Sequence, residues 1–444
     1  VIRTLCISCF CLFCLRGQAA TQPNILFIVA DDIGIGDTGF SGGKDFPTPF
    51  IDRIAKEGAV FTSAYLTAPV CSPSRAGMLS GRYQQRFGHE MNPSEGSVHQ
   101  QGLPLTEKLL PARLAAAGYH SGIVGKWHLG TEEAYHPLQR GFAEQPLGFL
   151  GGSRNYIGIG KGIGKGLLTD DKPVELNGYL TDAFGDAAVG FINRNKGKPW
   201  FLYAAFNAAH GPLQPNETVM ARVPESLKGE RRKFAGLMLS LDDNVGKLLA
   251  ALKASGQEEN TLVVFISDNG GQTLVGASNL DLHGHKGSTW EGGIRTPMAM
   301  RWPGKISAGT TCASPTITLD ISATFMDLAA GSVPKDYDGR SLLGVLTRQE
   351  KLDDKRPLHW RFGTQWATRV GDWKIVRAAG EEGIELYNLL QDPTEKTNVA
   401  DAQPEKLKEL QAVHDTWDKT LVAPLWGVKA ARDKKESVKT KAKK

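Results

Sequence analysis

Three stretches of the chain are apolar at almost every position: Asn24–Ala30, residues 201–206 and Thr261–Ser267. Runs of that length without polar alternation predict strands covered on both faces. Around them, apolar residues recur at helical spacing over 48–58, 105–118, 179–195 and 233–255, and again near 315–330. Strands alternating with helices predict an α/β fold, a large and mostly parallel mixed sheet sandwiched by helices. Past residue 346 the texture shortens to strand-like pieces at Leu358–Phe362, 367–370, Trp373–Arg377 and 384–389, then a helix near 404–421. Gly371-Asp372 reads as a hairpin loop between two of them. The expected organisation is a main domain over 21–346 and a small C-terminal unit over 347–428, with an antiparallel sheet and one helix. No internal repeat is visible.

Composition adds only exclusions: 41% hydrophobic and 22% charged residues, with 51 Gly and 23 Pro in 444, rule out collagen, coiled coil and wholesale disorder. Cysteine and charge change the picture more. Four of the six cysteines lie in the apolar run 5–15, which follows Arg3 and precedes Gly17-Gln18-Ala19-Ala20. That is the pattern of a signal peptide over 1–20, and the run is shorter than the roughly twenty residues of a membrane span. The expectation is export to the periplasm or the extracellular space, with no membrane span. Only Cys71 and Cys312 then remain, too few for a disulfide framework. The formal charge of +5 is just as local, because 429–444 carries eight Lys or Arg against Asp433 and Glu436, and the signal segment adds Arg3 and Arg16. The body between them is left at −3, which does not indicate nucleic acid as a partner. The tail 429–444 reads as a solvated, disordered end.

The glycine-rich stretch 151–166 fails as a phosphate loop: Gly164-Lys165 is followed by Gly166 rather than Ser or Thr, and Ile159 stands where the first glycine belongs. A flexible loop on the rim of a site is expected instead.

In an open α/β sheet, ligands bind beyond the carboxyl ends of the strands. The first apolar run ends in Asp31-Asp32 and the third in Asp268-Asn269. Three carboxylates and an amide oxygen at one sheet edge suit a hard divalent cation, calcium before zinc. Either pair taken alone could merely cap the element that follows. Cys71-Ser72-Pro73-Ser74-Arg75 adds a cysteine at or just before a helix N-terminus, where Pro73 fits the first turn and an anion is favoured.

Here the sequence resembles the sulfatase family, whose signature C-x-P-S-R-x-x-x-L-[ST]-G is matched from Cys71 to Gly81. The likeness extends to Gly125-Lys126-Trp127-His128-Leu129-Gly130, to Ala209-His210-Gly211-Pro212, to Gly284-His285-Lys286-Gly287 and to Trp290-Glu291-Gly292-Gly293-Ile294-Arg295. It continues in Val370-Gly371-Asp372-Trp373-Lys374 and Glu385-Leu386-Tyr387-Asn388. The resemblance implies an alkaline phosphatase-like fold and a sulfuric ester hydrolase, with Cys71 oxidised to formylglycine by a dedicated maturation enzyme. It further implies one calcium ion on Asp31, Asp32, Asp268, Asn269 and the modified Cys71, with Arg75 steadying the diol of the hydrated aldehyde. Lys126 and Lys286 would meet sulfate oxygens, His128 would deprotonate the second hydroxyl, and His210 with Lys286 would protonate the leaving group. Spacing alone does not separate acid from base.

Residues 201–214 are similar to the branch containing N-acetylgalactosamine-4-sulfatase, so a sulfated carbohydrate is the expected substrate. Trp290, His283, His285 and Arg154 are candidates for the rim of its pocket, as is Trp127, for which core packing is the stronger reading. Two alternatives remain: a phosphonate or phosphodiester hydrolase using the same metal and nucleophile, and a catalytically silent glycan-binding relative. The second would be expected to have lost Cys71 or the carboxylates, which this chain keeps.

Overall fold

The computed structural model describes residues 22–94, 101–158, 166–176, 178–381 and 383–427. The expected signal peptide and basic tail, and the part of the glycine-rich stretch at 159–165, lie outside the described residues. Ten strands form one sheet in the order Thr310–Cys312, Ala59–Phe61, Met298–Arg301, Thr261–Ser267, Asn24–Ala30, Trp200–Ala205, His120–Lys126, Glu144–Phe149, Leu167–Thr169, Lys172–Val174. The run from Thr261–Ser267 to Glu144–Phe149 is parallel, and antiparallel pairs flank it on both sides. This is the mostly parallel mixed sheet expected from the apolar runs.

Both faces of the central strand are buried, as its unbroken apolarity requires. Leu26, Ile28 and Ala30 face a core built with the helices Leu180–Arg194 and Gly229–Ala254. Ile25, Phe27 and Val29 face another, built with Cys71–Ser80, Leu110–Ala116 and Thr318–Ala330. The C-terminal strands Leu358–Phe362, Gln365–Val370, Trp373–Arg377 and Glu385–Asn388 form consecutive antiparallel hairpins, with Val370 opposite Trp373 across the Gly371-Asp372 loop. The helix Pro404–Asp418 packs on this sheet. Its core continues into the main part, where the Trp360 indole donates to Leu66 O at 2.6 Å and its ring centroid lies 5.3 Å from that of Tyr65.

One local expectation needs correction, and one element comes in addition to those expected. The helix expected over 105–118 begins only at Leu110, because Pro111 has no N–H to give and disfavours helix in the residue before it, so it fits a first turn and not an interior. The strand His120–Lys126 was not foreseen, since Gly122 and Gly125 interrupt its apolar run. Both glycines answer to close approach: a β-carbon at Gly122 would stand 2.3 Å from the Phe191 ring, and one at Gly125, where φ is +99°, 2.0 Å from Ala205 O.

Candidate active site

Register brings the site together. Ala30 pairs with Ser267, Val29 with Ala205, and Ala205 with Gly125, so Asp31, Asp268 and Lys126 reach the carboxyl edge of the sheet at one level. The pairing continues one step past the strands, with Asp31 N–H donating to Ala208 O and Ala209 N–H to Asp31 O, both at 2.9 Å. This carries His210 to the same place. Cys71 opens the wholly buried helix Cys71–Ser80, and its Sγ lies 3.7 Å from Asp31 Oδ1. Ligand atoms of Asp31, Asp32, Cys71 and His210 all fall within 4.8 Å of one another.

Cations and carboxylates interleave. Lys126 Nζ stands 2.6 Å from Asp31 Oδ2, and Lys286 Nζ 2.6 Å from Asp32 Oδ1. Arg75 places Nε and Nη2 each 2.8 Å from Asp268 Oδ2, with Nη1 3.2 Å from Lys126 O and 3.4 Å from Tyr203 OH. The loop carrying Lys286 is fixed from three sides: Lys286 N–H to Gly271 O, Gly287 N–H to Pro69 O, and Gln365 Nε2 to Gly287 O at 2.7 Å. His210 Nε2 is 3.5 Å from Asp32 Oδ2. Both Asp32 and His128 hold positive φ, 64° and 62°, an unfavourable conformation for residues with a β-carbon that persists where surroundings enforce it.

The electrostatics follow from burial. Desolvation would raise the Asp31 carboxyl, but Lys126, then His210 and Arg75, outweigh it and hold it far below the usual carboxylate range. Burial, with the Asp268 charge, pushes the Cys71 thiol up to about 12, so an unmodified Cys71 is a poor source of thiolate near neutral pH. Desolvation, Lys126 and Arg75 lower His128 well below its ordinary value, which keeps its imidazole neutral near neutral pH.

The donor set fits a hard cation. Asn269 Nδ2 is committed to Asp32 Oδ1 at 2.7 Å and to Gly270 O at 3.0 Å, while its buried Oδ1 has no hydrogen-bond partner among the described residues. An unpartnered amide oxygen beside the carboxylates of Asp31, Asp32 and Asp268 is what an oxygen-coordinated divalent ion needs. It is also what a protein interior otherwise avoids.

All ten residues singled out from the sequence lie in or against this cluster. The suggested rim is more mixed. Trp127 is fully buried with Nε1 on Tyr135 O, and the nearly buried Arg154 guanidinium lies over the Phe149 ring at 5.0 Å. Trp290 stacks on His283 with centroids 4.1 Å apart and donates to Glu385 at 3.1 Å, and His285 Nδ1 lies 2.9 Å from Lys286 O. Sequence reading missed Tyr203, hidden mid-strand in an apolar run, and Tyr156, whose hydroxyl is 2.9 and 2.8 Å from the carbonyls of Asn207 and His210. Neither carries a local signal, since each reaches the site only through strand pairing or a loop.

The profile of the family described as Sulfatase matches residues 23–332, and that described as N-sulphoglucosamine sulphohydrolase, C-terminal, matches 283–420. N-acetylgalactosamine-6-sulfatase of Homo sapiens is 35% identical over 380 residues, covering 80% of this chain and 72% of that protein. An arylsulfatase of Hemicentrotus pulcherrimus is 32% identical over 401 residues, covering 82% and 70%. Among solved structures, Ps i-CgsB in complex with k-i-k-neocarrahexaose aligns with a TM-score of 0.86 at 36% identity, covering 91% of this chain and 95% of that one.

Proposed function

We propose, for a chain that belongs to the sulfatase family and is thereby a sulfate-ester hydrolase, that it releases sulfate from a sulfated carbohydrate after Cys71 has become formylglycine. The observation that carries this reading is the meeting of Cys71 with Asp31, Asp32 and His210 beside the unpartnered Asn269 Oδ1. Its support for the substrate is that similar proteins are named for sulfated amino sugars and that Ps i-CgsB was crystallised with an oligosaccharide.

Asp31, Asp32, Asp268 and Asn269 would hold calcium, which supplies Lewis-acid neutralisation of the sulfuryl oxygens when bound. Formylglycine supplies, as its hydrate, a nucleophilic oxygen and a second hydroxyl whose deprotonation expels sulfate. The chain's own side chains do the rest. Lys126 and Lys286 balance the carboxylates and offer charge to sulfate oxygens, each such contact contributing on the order of a hundredfold in rate. Arg75 orients Asp268 through its two contacts to one oxygen. His128, kept neutral by burial and neighbouring cations, takes the hydroxyl proton. His210, at the more open edge beside Lys286 and Asp32, delivers a proton to the departing alcohol. Export rests on the apolar run 5–15 and its small-residue flank, and maturation would need a formylglycine-generating enzyme.

A screen of defined sulfated mono- and oligosaccharides for sulfate release tests the reading and finds the sulfated position, for which the 6-sulfatase relatives and the 4-sulfatase-like segment 201–214 point differently. Release from at least one sugar is expected. A strong preference for phosphodiesters would move the chain to that activity, and glycan binding without turnover would make it a silent relative.

A further inference from the structure

The helix that begins at Cys71 has no cap of its own, since Val70 precedes it and offers no side-chain acceptor. Its first turn is satisfied from outside, where Asn92 Oδ1 accepts the Ser72 N–H at 3.0 Å. Ser72 Oγ in turn lies 2.6 Å from His128 O and 2.7 Å from His89 Nε2. A carbonyl can only accept, so the hydroxyl hydrogen goes to His128 O and the His89 ring donates to Oγ. On its other side the His128 peptide gives its N–H to Leu150 O at 3.0 Å. The left-handed backbone of His128 is thus gripped at both ends, by Leu150 and by the His89–Ser72 pair.

Residues 85–92 are held by a strap from the C-terminal part. Val422 N–H donates to Gln85 O, Leu425 N–H to Gly88 O at 2.9 Å, and the Trp426 indole lies 3.2 Å from both Met91 O and Asn92 O. The same indole meets the His89 ring edge-on at 4.9 Å. Glu90 takes a two-pronged contact from Arg361 of the antiparallel sheet, at 2.5 and 3.1 Å.

We propose that His89 and Asn92 are positioning residues for the hydrolysis: His89 acts through Ser72 to fix His128, Asn92 fixes the helix turn bearing residue 71, and the 422–426 strap keeps both in place. This rests on the reading of Cys71 and His128 as reaction centre. Neither residue belongs to the motifs that carry the family resemblance, and the strap makes the C-terminal part a support of the active site.

The test compares Ser72→Ala, His89→Ala, Asn92→Ala, Asn92→Asp and Trp426→Ala in the full chain, with Cys71 conversion quantified by mass spectrometry and rates normalised to it. Expected is a kcat reduced about tenfold in the first three and severalfold in Trp426→Ala, with KM within about twofold. Asn92→Asp, which keeps an acceptor oxygen, should recover most of the loss. Unchanged kcat in Ser72→Ala and Asn92→Ala overturns the proposal, and so does an Asn92→Asp protein no better than Asn92→Ala. Asn92 is exposed, so its variants remain informative if His89→Ala fails to fold. A crystal structure of Ser72→Ala reads the same point without turnover: His128 should leave its positive φ, and an unmoved His128 contradicts the proposal. Lack of wild-type turnover on every sulfated sugar, by contrast, counts against the proposed function alone.

Discussion

One short stretch of chain feeds two clusters of buried charge, Lys286 entering the first and Glu291 the second. In the second cluster, Lys374 Nζ is 2.9 Å from Glu291 Oε1 and 2.8 Å from Glu395 Oε1, Tyr65 OH donates to Glu291 Oε2 at 2.6 Å, and Glu395 Oε2 accepts the Glu291 N–H at 2.6 Å. Arg369 completes it, bonded to Gly371 O and Ser63 Oγ. Each carboxylate oxygen there has a cation or donor beside it, Glu395 Oε1 through its ion pair with Lys374 and no hydrogen bond, and the Lys374, Glu291 and Glu395 side chains are closed to solvent. The first cluster leaves Asn269 Oδ1 and His128 Nδ1 without hydrogen-bond partners among the described residues and opens at His210, whose side chain is 25% exposed. Positive φ does not separate the two, because Glu395 has it as well as Asp32 and His128. Incomplete satisfaction at an open edge is what marks a site for chemistry, while a closed network of the same residue types ties the C-terminal antiparallel sheet to the main part.

If that contrast is right, Cys71→Ala should lower sulfate release by about ten-thousandfold or more while shifting the melting temperature by only a few degrees, as steady-state assays and calorimetry would show. Lys374→Met should do the reverse. Leaving Glu291 and Glu395 buried without their shared cation should cost about 3–5 kcal/mol in denaturant unfolding, with turnover per folded molecule nearly intact. Chelation should then reduce activity by about a hundredfold and lower the melting temperature, and calcium should restore both, because the first cluster keeps an amide oxygen free beside its carboxylates while the carboxylates of the second are taken up by Lys374 and hydrogen-bond donors. A chelator without effect on either quantity would erase the distinction.

The smallest effect concerns pH. Thr368 Oγ1 bridges the Nδ1 atoms of His359 and His414 at 3.0 Å each, between the antiparallel sheet and the helix Pro404–Asp418. Burial lowers these imidazoles to about 3 and about 4. The unfolded chain therefore binds protons at them below pH 6.5 while the folded chain does not, so stability is complete above that pH and falls on acidification toward 4. Each should contribute a slope of about 1.4 kcal/mol per pH unit in that window. His414→Gln should remove one such share from unfolding curves measured at pH 5 and pH 7.

Much of this was legible beforehand because the features are local. Continuous apolarity marks strands buried on both faces, and Asp31-Asp32 and Asp268-Asn269 end two of them, so sheet geometry alone delivers the carboxylates to one edge. The strand bearing Lys126 was obscured by Gly122 and Gly125, which packing against Phe191 and Ala205 demands although a linear pattern reads them as breaks. Glu291 and Lys374 lie in motifs shared with the family, yet whether they act or merely support depends on partners distant along the chain, 83 residues apart for this pair and 226 for Glu291 and Tyr65. His89, Ser72 and Asn92 show the same limit, since their relation to His128 exists only after the helix and the loop have packed.

The most direct test is mass spectrometry of the tryptic peptide 57–75, taken from protein of known specific activity. Residue 71 should be found as formylglycine, in a fraction that scales with sulfate release across preparations matured to different extents. An unmodified cysteine in fully active protein would contradict it.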